Sequence, residues 1–180
     1  DVYKRQPFII AGPGIHPRQK PVEDLLTQPT IDLLPTLCEL AGIPVPSSKP
    51  GISLAPFLKG EKQKRQHPYA ASEWHSEYEV TVSPGRMIRS PRYKYTHYLE
   101  GNGEELYDML KDKGERRNLA HDPKYSKILA EHRALLDDYI RRTQDDYRSL
   151  KVEADKRWRS HAPGYPNHEG PCARDIINRK

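Results

Sequence analysis

The sequence predicts the closing part of an α/β domain followed by a small α+β subdomain. Three observations carry this. The apolar run Phe8-Ile9-Ile10-Ala11 ends in Gly12-Pro13-Gly14 and leads to a helix pattern in TIDLLPTLCELAGIP. Short runs of alternating polarity then crowd the region from YAASEW to ELYDM. One long amphipathic stretch, DPKYSKILAEHRALLDDYIRRTQDDY, follows them. A strand with helices, a linker, then antiparallel strands and one helix is the order expected of such a pair of layers.

The first run fits a strand buried on both faces, as in a parallel sheet covered by helices. In the helix after it, Asp32 reads as the N-cap. Pro35 falls in the first turn, where its missing N–H costs nothing. Leu33, Leu34, Leu37, Cys38, Leu40 and Ala41 form the apolar face, Gly42 stops the helix and Pro44 prevents a restart. GISLAPFLKG repeats this grammar over a shorter span, with Ser53 as cap and Gly60 as stop. EKQKRQHP is a charged connector.

After it the texture changes. YAASEW, GRMIRS and RYKYTHYL read as short antiparallel strands, the third with Tyr93, Tyr95 and His97 on one face and Lys94, Thr96 and Tyr98 on the other. GNGEE is a turn and ELYDM a further strand. In the long helix Asp122 caps, Pro123 takes the first position, and Ile128, His132, Leu135, Leu136, Tyr139 and Ile140 share one stripe. Beyond about Leu150 charge, Pro and Gly dominate, the composition of a tail that wraps a surface or stays partly disordered.

Composition narrows the function classes. The chain has 180 residues, 17 Pro, 11 Gly and 35% apolar residues, the last low against the roughly 45–50% of typical globular domains. No apolar run reaches the roughly 18 residues that a membrane span needs. The net charge of +5 is spread along the chain. A solvated mixed-charge surface accounts for most of it and a site for an anionic substrate for part. Near-balanced charge and the absence of an RNA-binding aromatic motif argue against a nucleic-acid partner. Two cysteines, Cys38 in an apolar setting and Cys172 in a polar one, make neither a disulfide framework nor a metal cluster. Cys38 reads as a buried thiol.

No P-loop, G-x-S-x-G, H-E-x-x-H or Cys–His cluster is present. His16, His67, His121, His161 and His168 stand singly in polar stretches and read as surface residues. One constellation stands out, SEWHSEYE followed by PGRMIRSPRYKY. If these segments pair, Glu73, Trp74, His75 and Glu77 share a rim with Arg86, Arg89 and Arg92. Guanidinium forks suit sulfate, phosphate or carboxylate, and an imidazole can donate to an anion or a sugar hydroxyl. The bland alternative is that the three arginines make ion pairs with Glu73, Glu77 and Glu105. Trp74 reads as a core residue before it reads as a sugar-stacking platform on this pattern.

The segments PFIIAGPGI, TIDLLPTLCELAGIPVP, GISLAPFLKG, GRMIRSPRYKYTHY and EELYDMLKDKGERRNLAHDP, in this order, resemble the C-terminal third of a formylglycine-dependent sulfatase, of the arylsulfatase and N-sulfoglucosamine sulfohydrolase kind. The resemblance spans nearly all of residues 7–147. It implies the end of an alkaline-phosphatase-like catalytic α/β domain over 7–66 and the sulfatase C-terminal α+β subdomain over 67–150, with a charged, Pro/Gly-rich tail over 151–180. It also implies hydrolysis of a sulfate ester or sulfamate of a sulfated carbohydrate, by a formylglycine nucleophile with Ca2+ as Lewis acid, in a periplasmic or secreted enzyme.

Cys38 is followed by Glu39-Leu40 and does not match the formylglycine motif C/S-x-P-S-R. The nucleophile and metal ligands are therefore expected before Pro7, on the missing N-terminal catalytic portion of the same chain, and residues 7–180 alone are expected to be inactive. By the same resemblance His75, Glu73, Arg86 and Trp74 are the expected substrate-binding residues. The first six residues, DVYKRQ, can be encoded GAT GTG TAT AAG AGA CAG, a string resembling a transposon-end sequencing adapter, and natural sequence is expected to begin at Pro7. Two other readings stay open: a phosphodiesterase or phosphoryl transferase of the same superfamily, and a non-catalytic anion- or glycan-binding module.

Overall fold

The computed structural model describes residues 8–18, 22, 25–47, 50–62, 67–74, 84–99 and 103–149. Two helices come first, α1 over Pro29–Leu40 and α2 over Ala55–Leu58. Four strands follow, β1 Ala70–Trp74, β2 Gly85–Arg89, β3 Tyr93–Tyr98 and β4 Glu104–Asp108. The last elements among the described residues are α3 over Ser126–Thr143 and a short 3-10 turn at Tyr147–Ser149. The strands form one antiparallel sheet in the order β1-β2-β3-β4.

Register assigns the two faces. Glu73 pairs with Arg86 and Arg86 with His97, whereas Trp74 pairs with Gly85 and Gly85 with Tyr98. Partnered residues share a face and neighbours along a strand alternate. Glu73, Arg86, Ile88, Tyr95, His97 and Leu106 therefore face α3, while Trp74, Met87, Thr96 and Tyr98 face the other way. The core lies between the sheet and α3, built from Tyr69, Ile88, Tyr95, Leu106, Leu119, Leu129 and Leu136. The four strands and their alternation match the expectation from sequence, including Tyr93, Tyr95 and His97 on a common face.

The connection from β4 to α3 is tied down by one side chain. Asn118 Oδ1 accepts from Leu106 N and Ala120 N, both at 3.0 Å, and its Nδ2 donates to Glu104 O. Asp122 then caps the turn into α3 by accepting from Lys124 N. At the far end α3 stops at Thr143, because Gln144 adopts the left-handed conformation with φ 54°. Its predicted continuation to Tyr147 gives way because Asp145 and Tyr147 turn in to the sheet.

The amino-terminal part departs further from expectation. Residues 8–11 have no strand neighbour among the described residues and are not a strand, with Ile9 83% exposed. Helix α1 begins at Pro29, so Asp32 is not its N-cap and Pro35 lies inside the helix. Asp32 nevertheless serves the helix start from within: its Oδ2 accepts from the N–H of the N-cap residue Gln28 at 2.7 Å. Pro35 leaves the Ile31 carbonyl without its usual helical donor, and Gly51 packs against that oxygen. A Cβ at Gly51 would sit 2.2 Å from it, and φ there is +124°.

The face of α1 that is buried is also not the leucine face. Asp32, Pro35 and Thr36 are buried, while Leu33, Leu34 and Leu37 are 41%, 44% and 50% exposed. Cys38 is a free, half-buried thiol rather than a buried one. Ser53 Oγ accepts from Ala55 N just before α2, but the N-cap is Leu54 and not the expected Ser53. Gly60, at φ +88°, follows the C-cap Lys59 and stops the helix as expected. The tail 151–180, with Cys172, His161 and His168, lies outside the described residues.

Candidate functional site

Of the residues singled out in sequence, Glu73, Trp74 and Arg86 lie together at the end of β1. Trp74 ends that strand, and its ring lies over Gly85, where a Cβ would come within 2.1 Å of the ring. On the far side Tyr98 meets it edge to face, centroids 5.8 Å apart. Glycine at 85 is thus what lets the indole lie flat across β2. Trp74 is half-buried. His75 and Glu77 lie outside the described residues.

Arg86 sits on the opposite, α3-facing side and is buried, at 5% exposure. Its Nε donates to Asp145 Oδ2 at 2.6 Å and its Nη2 to Asp145 Oδ1 at 2.9 Å, a fork-on-fork pair. Its Nη1 donates to Trp74 O at 3.1 Å and to Gly85 O at 2.9 Å. The Tyr147 ring lies under the guanidinium at 4.4 Å. Burial pulls the pKa of Arg86 down, and the hydrogen bonds and charge of Asp145 raise it further than that, so the cation is fixed in place. Glu73, exposed beside it, accepts from the Tyr139 hydroxyl of α3. Burial, with the Glu73 carboxylate, holds Tyr139 well above the usual tyrosine range.

The single rim drawn from sequence is therefore split. Glu73 and Arg86 lie on the α3 side and Trp74 on the other. Arg92 pairs with Asp108 at 2.7 Å beyond the β2–β3 turn, and Arg89 turns to the Ser90 carbonyl. The alternative of ion-paired arginines is closer to what is seen, but the acids are Asp145 and Asp108 rather than the glutamates.

Two polar centres escaped sequence reasoning. Tyr147, with no exposed surface, donates toward His97 O at 2.9 Å and lies 2.9 Å from His97 Nδ1, next to the Arg86 fork. Burial pushes its pKa up to about 12, so it stays a neutral donor. The other is Asp32, wholly buried, whose Oδ1 accepts from Ile52 N at 2.8 Å and lies 2.7 Å from His67 Nε2. His67 is thus not a lone surface residue. The signal for Asp145 and Tyr147 was present as TQDDY after the helix stripe, but a polar pattern does not disclose which acid turns inward.

Among the described residues no three His, Cys, Asp or Glu side chains gather where they could hold a metal ion. Together with Cys38-Glu39-Leu40 in place of the formylglycine motif, this means the described residues do not fit either group, and no step is derived through them. No helix among the described residues is long and apolar enough to cross a membrane.

An antiparallel four-stranded sheet backed by one long helix, behind a proline-bearing helix anchored through Asp32, defines the closing subdomain of an alkaline-phosphatase-like sulfatase fold. Residues 2–142 match the family described as N-sulphoglucosamine sulphohydrolase, C-terminal, and the chain belongs to that family. It is 76% identical over 174 residues to the Delta 4,5-hexuronate-2-O-sulfatase of Bacteroides thetaiotaomicron, covering 97% of this chain and 36% of that relative. Among solved structures a 2-O GAG sulfatase superposes with a TM-score of 0.78 and 77% identity, over 92% of this chain and 36% of that one. A structure in complex with its substrate D-glucosamine-2-N,6-O-disulfate superposes at 0.60 with 26% identity, over 67% of this chain and 25% of that one. The chain thus spans about a third of the length of the first two.

Proposed function

We propose that this chain is the C-terminal part of a sulfatase that hydrolyses the 2-O-sulfate of a Δ4,5-unsaturated hexuronate in glycosaminoglycan fragments. The observation that carries this is the 76% identity to a Delta 4,5-hexuronate-2-O-sulfatase over 97% of the chain. The reaction consumes water and releases sulfate and the free sugar hydroxyl. Formylglycine and Ca2+, implied by the family for the whole enzyme, would be carried by residues outside this chain, and a periplasmic or secreted location follows from the same reading. The units 7–66 and 67–150 would belong to the catalytic domain and the C-terminal subdomain respectively.

Within this chain, Trp74 and its sequence neighbour His75 are the proposed sugar contacts, the indole offering an apolar platform and the imidazole a donor. Glu73 lies beside them on the other face of the sheet. Arg86, buried with its donors on Asp145, Trp74 O and Gly85 O, supports that strand end and does not meet the sugar. The test is sulfate release by the complete enzyme from a disaccharide sulfated at O2 of a Δ4,5-hexuronate, against one sulfated only at O6 of the amino sugar. Release from the first alone supports the reading. Binding without release favours the glycan-binding module, and hydrolysis of a phosphonate or phosphate ester in place of the sulfate favours the phosphoryl-transfer alternative.

A further inference from the structure

The arrangement at the end of β1 assigns a role to an acid that the function above leaves unused. Asp145 follows the last turn of α3, 59 residues from Arg86, and grips both edges of its guanidinium at 2.6 and 2.9 Å. The same guanidinium spends Nη1 on the Trp74 carbonyl, at 3.1 Å. That carbonyl belongs to the peptide bond joining Trp74 to the next residue, so a buried ion pair reaches the exit of β1 through one hydrogen bond. Asp145 Oδ1 also accepts from Tyr147 N at 3.1 Å, and the Tyr147 ring closes the cationic face.

The pair is nearly dry, with side chains only 6% and 9% exposed. A forked pair fixes direction as well as distance, which a lysine could not do. Buried pairs add little net stability over a well-packed apolar pair, and a forked pair can instead serve to specify one geometry. Here the geometry specified is that of the strand end carrying Trp74.

We infer that Asp145 is a positioning residue, which acts through Arg86 and the Trp74 carbonyl to fix the end of β1 for sugar binding. The inference rests on the proposed function for its substrate, not for its geometry. It calls for two readouts on the complete enzyme carrying Asp145→Asn, Arg86→Lys or Arg133→Gln. The last breaks a second, more exposed forked pair, Arg133 of α3 with Glu104 of β4, away from β1. It controls for the loss of a helix-to-sheet ion pair as such.

Hydrogen exchange read on the peptide 69–76 should rise in Asp145→Asn and Arg86→Lys and stay at wild-type level in Arg133→Gln. With a Δ4,5-hexuronate-2-O-sulfate disaccharide, KM should rise tenfold or more in the first two with kcat within about threefold, and neither should move in Arg133→Gln. Unchanged exchange at 69–76 overturns the inference, and so does raised exchange with unchanged KM, which would leave the pair purely structural. If Asp145→Asn fails to fold, Arg86→Lys carries the same two readouts. A wild-type enzyme that releases no sulfate overturns the proposed function and the sugar-binding half of the inference, while exchange at 69–76 still decides the positioning half.

Discussion

His132 of α3 lies 2.9 Å through Nε2 from Ser90 Oγ in the β2–β3 turn. Its Nδ1 lies 2.8 Å from Ile128 O one helical turn back, so that nitrogen carries the proton and Nε2 accepts from the serine. Ser90 Oγ in turn accepts from Tyr93 N at 3.1 Å. The ring is buried and meets Tyr93 edge to face. Neutral, the ring bridges helix and turn from a buried site that disfavours its charge.

Acid should therefore loosen this corner. Burial holds the pKa of His132 below its ordinary 6.5, and the nearby Arg89 charge adds to that, against the pull of Ile128 O and Glu131. In the unfolded chain the ring takes up a proton near pH 6.5 that the folded ring refuses. Folding stability is thus complete above about pH 6.5 and falls as pH drops through and below it. Urea unfolding between pH 8 and pH 5 should show this slope, and His132→Gln should be less stable at pH 8 but flatter across the range. Equal slopes in both would remove His132 as its source.

Glu104 brings a second acid-sensitive contact at lower pH. Its hydrogen bonds to Arg133 hold its carboxyl below the usual range against burial, and the Tyr95 hydroxyl also donates to it. A depressed carboxyl contributes stability above its unfolded pKa, near 4.3, and loses it as pH falls through the folded value. Glu104→Gln should unfold at lower urea than wild type at pH 7, and the difference should shrink toward pH 3.

Asp32 is the residue on which the amino-terminal part depends most. One carboxylate satisfies Gln28 N and Ile52 N and meets His67, while Thr36 Oγ1 accepts from Leu54 N at 2.9 Å. Replacing Asp32 with Ala strands two partly buried N–H groups, at roughly 1–3 kcal/mol each. A lowered midpoint in denaturant is expected for Asp32→Ala, and Asp32→Asn should recover part of it because the amide oxygen can still accept. Full stability in the alanine variant would contradict this anchor.

The segment TIDLLPTLCELAGIPVP is legible as part of the family resemblance, but the physics of its Asp32 and Thr36 needs Ile52, Leu54 and His67 in place. The same holds for Asn118 in EELYDMLKDKGERRNLAHDP, which ties the β4–α3 connection to β4. Strands β1 to β4 and helix α3 were readable because two-residue and 3.6-residue periods repeat over enough positions to stand out. What stayed hidden depended on partners distant in sequence. Asp145 sits 59 positions from Arg86, and nothing in TQDDY ranks it above Asp146. An apolar run closed by Gly12-Pro13-Gly14 suits a strand at Phe8–Ala11, but a strand also needs neighbours to pair with, and none of the described residues pairs there.

Gly85 is where the aromatic end of the sheet is most exposed to a single change. A methyl group there would meet the Trp74 ring at 2.1 Å, inside any real contact distance. Gly85→Ala must push the indole off β2 and away from Tyr98, at a cost of about 1–3 kcal/mol. In the complete enzyme this variant should lose affinity for the sulfated disaccharide along with stability, whereas Gly103→Ala, whose added methyl meets only ordinary contacts at 3.8 Å, should keep its affinity. Equal affinity in both would separate Trp74 from the sugar.

The leucine face of α1 makes a prediction for residues 1–180 expressed alone. Leu33, Leu34 and Leu37 occupy one side of the helix, and Ile43 and Val45 just beyond it are 58% and 41% exposed. Burying one such side chain is worth about 1.5–3 kcal/mol, so a shared patch of this kind favours association. Sedimentation velocity should show concentration-dependent association, reduced when Leu34 and Leu37 are both replaced by Lys. The helix itself should persist in that variant, because lysine is a good helix former and the buried side carries Asp32, Pro35 and Thr36. A wild-type chain that stays monomeric at the highest concentrations reached would show that this face is satisfied within the chain.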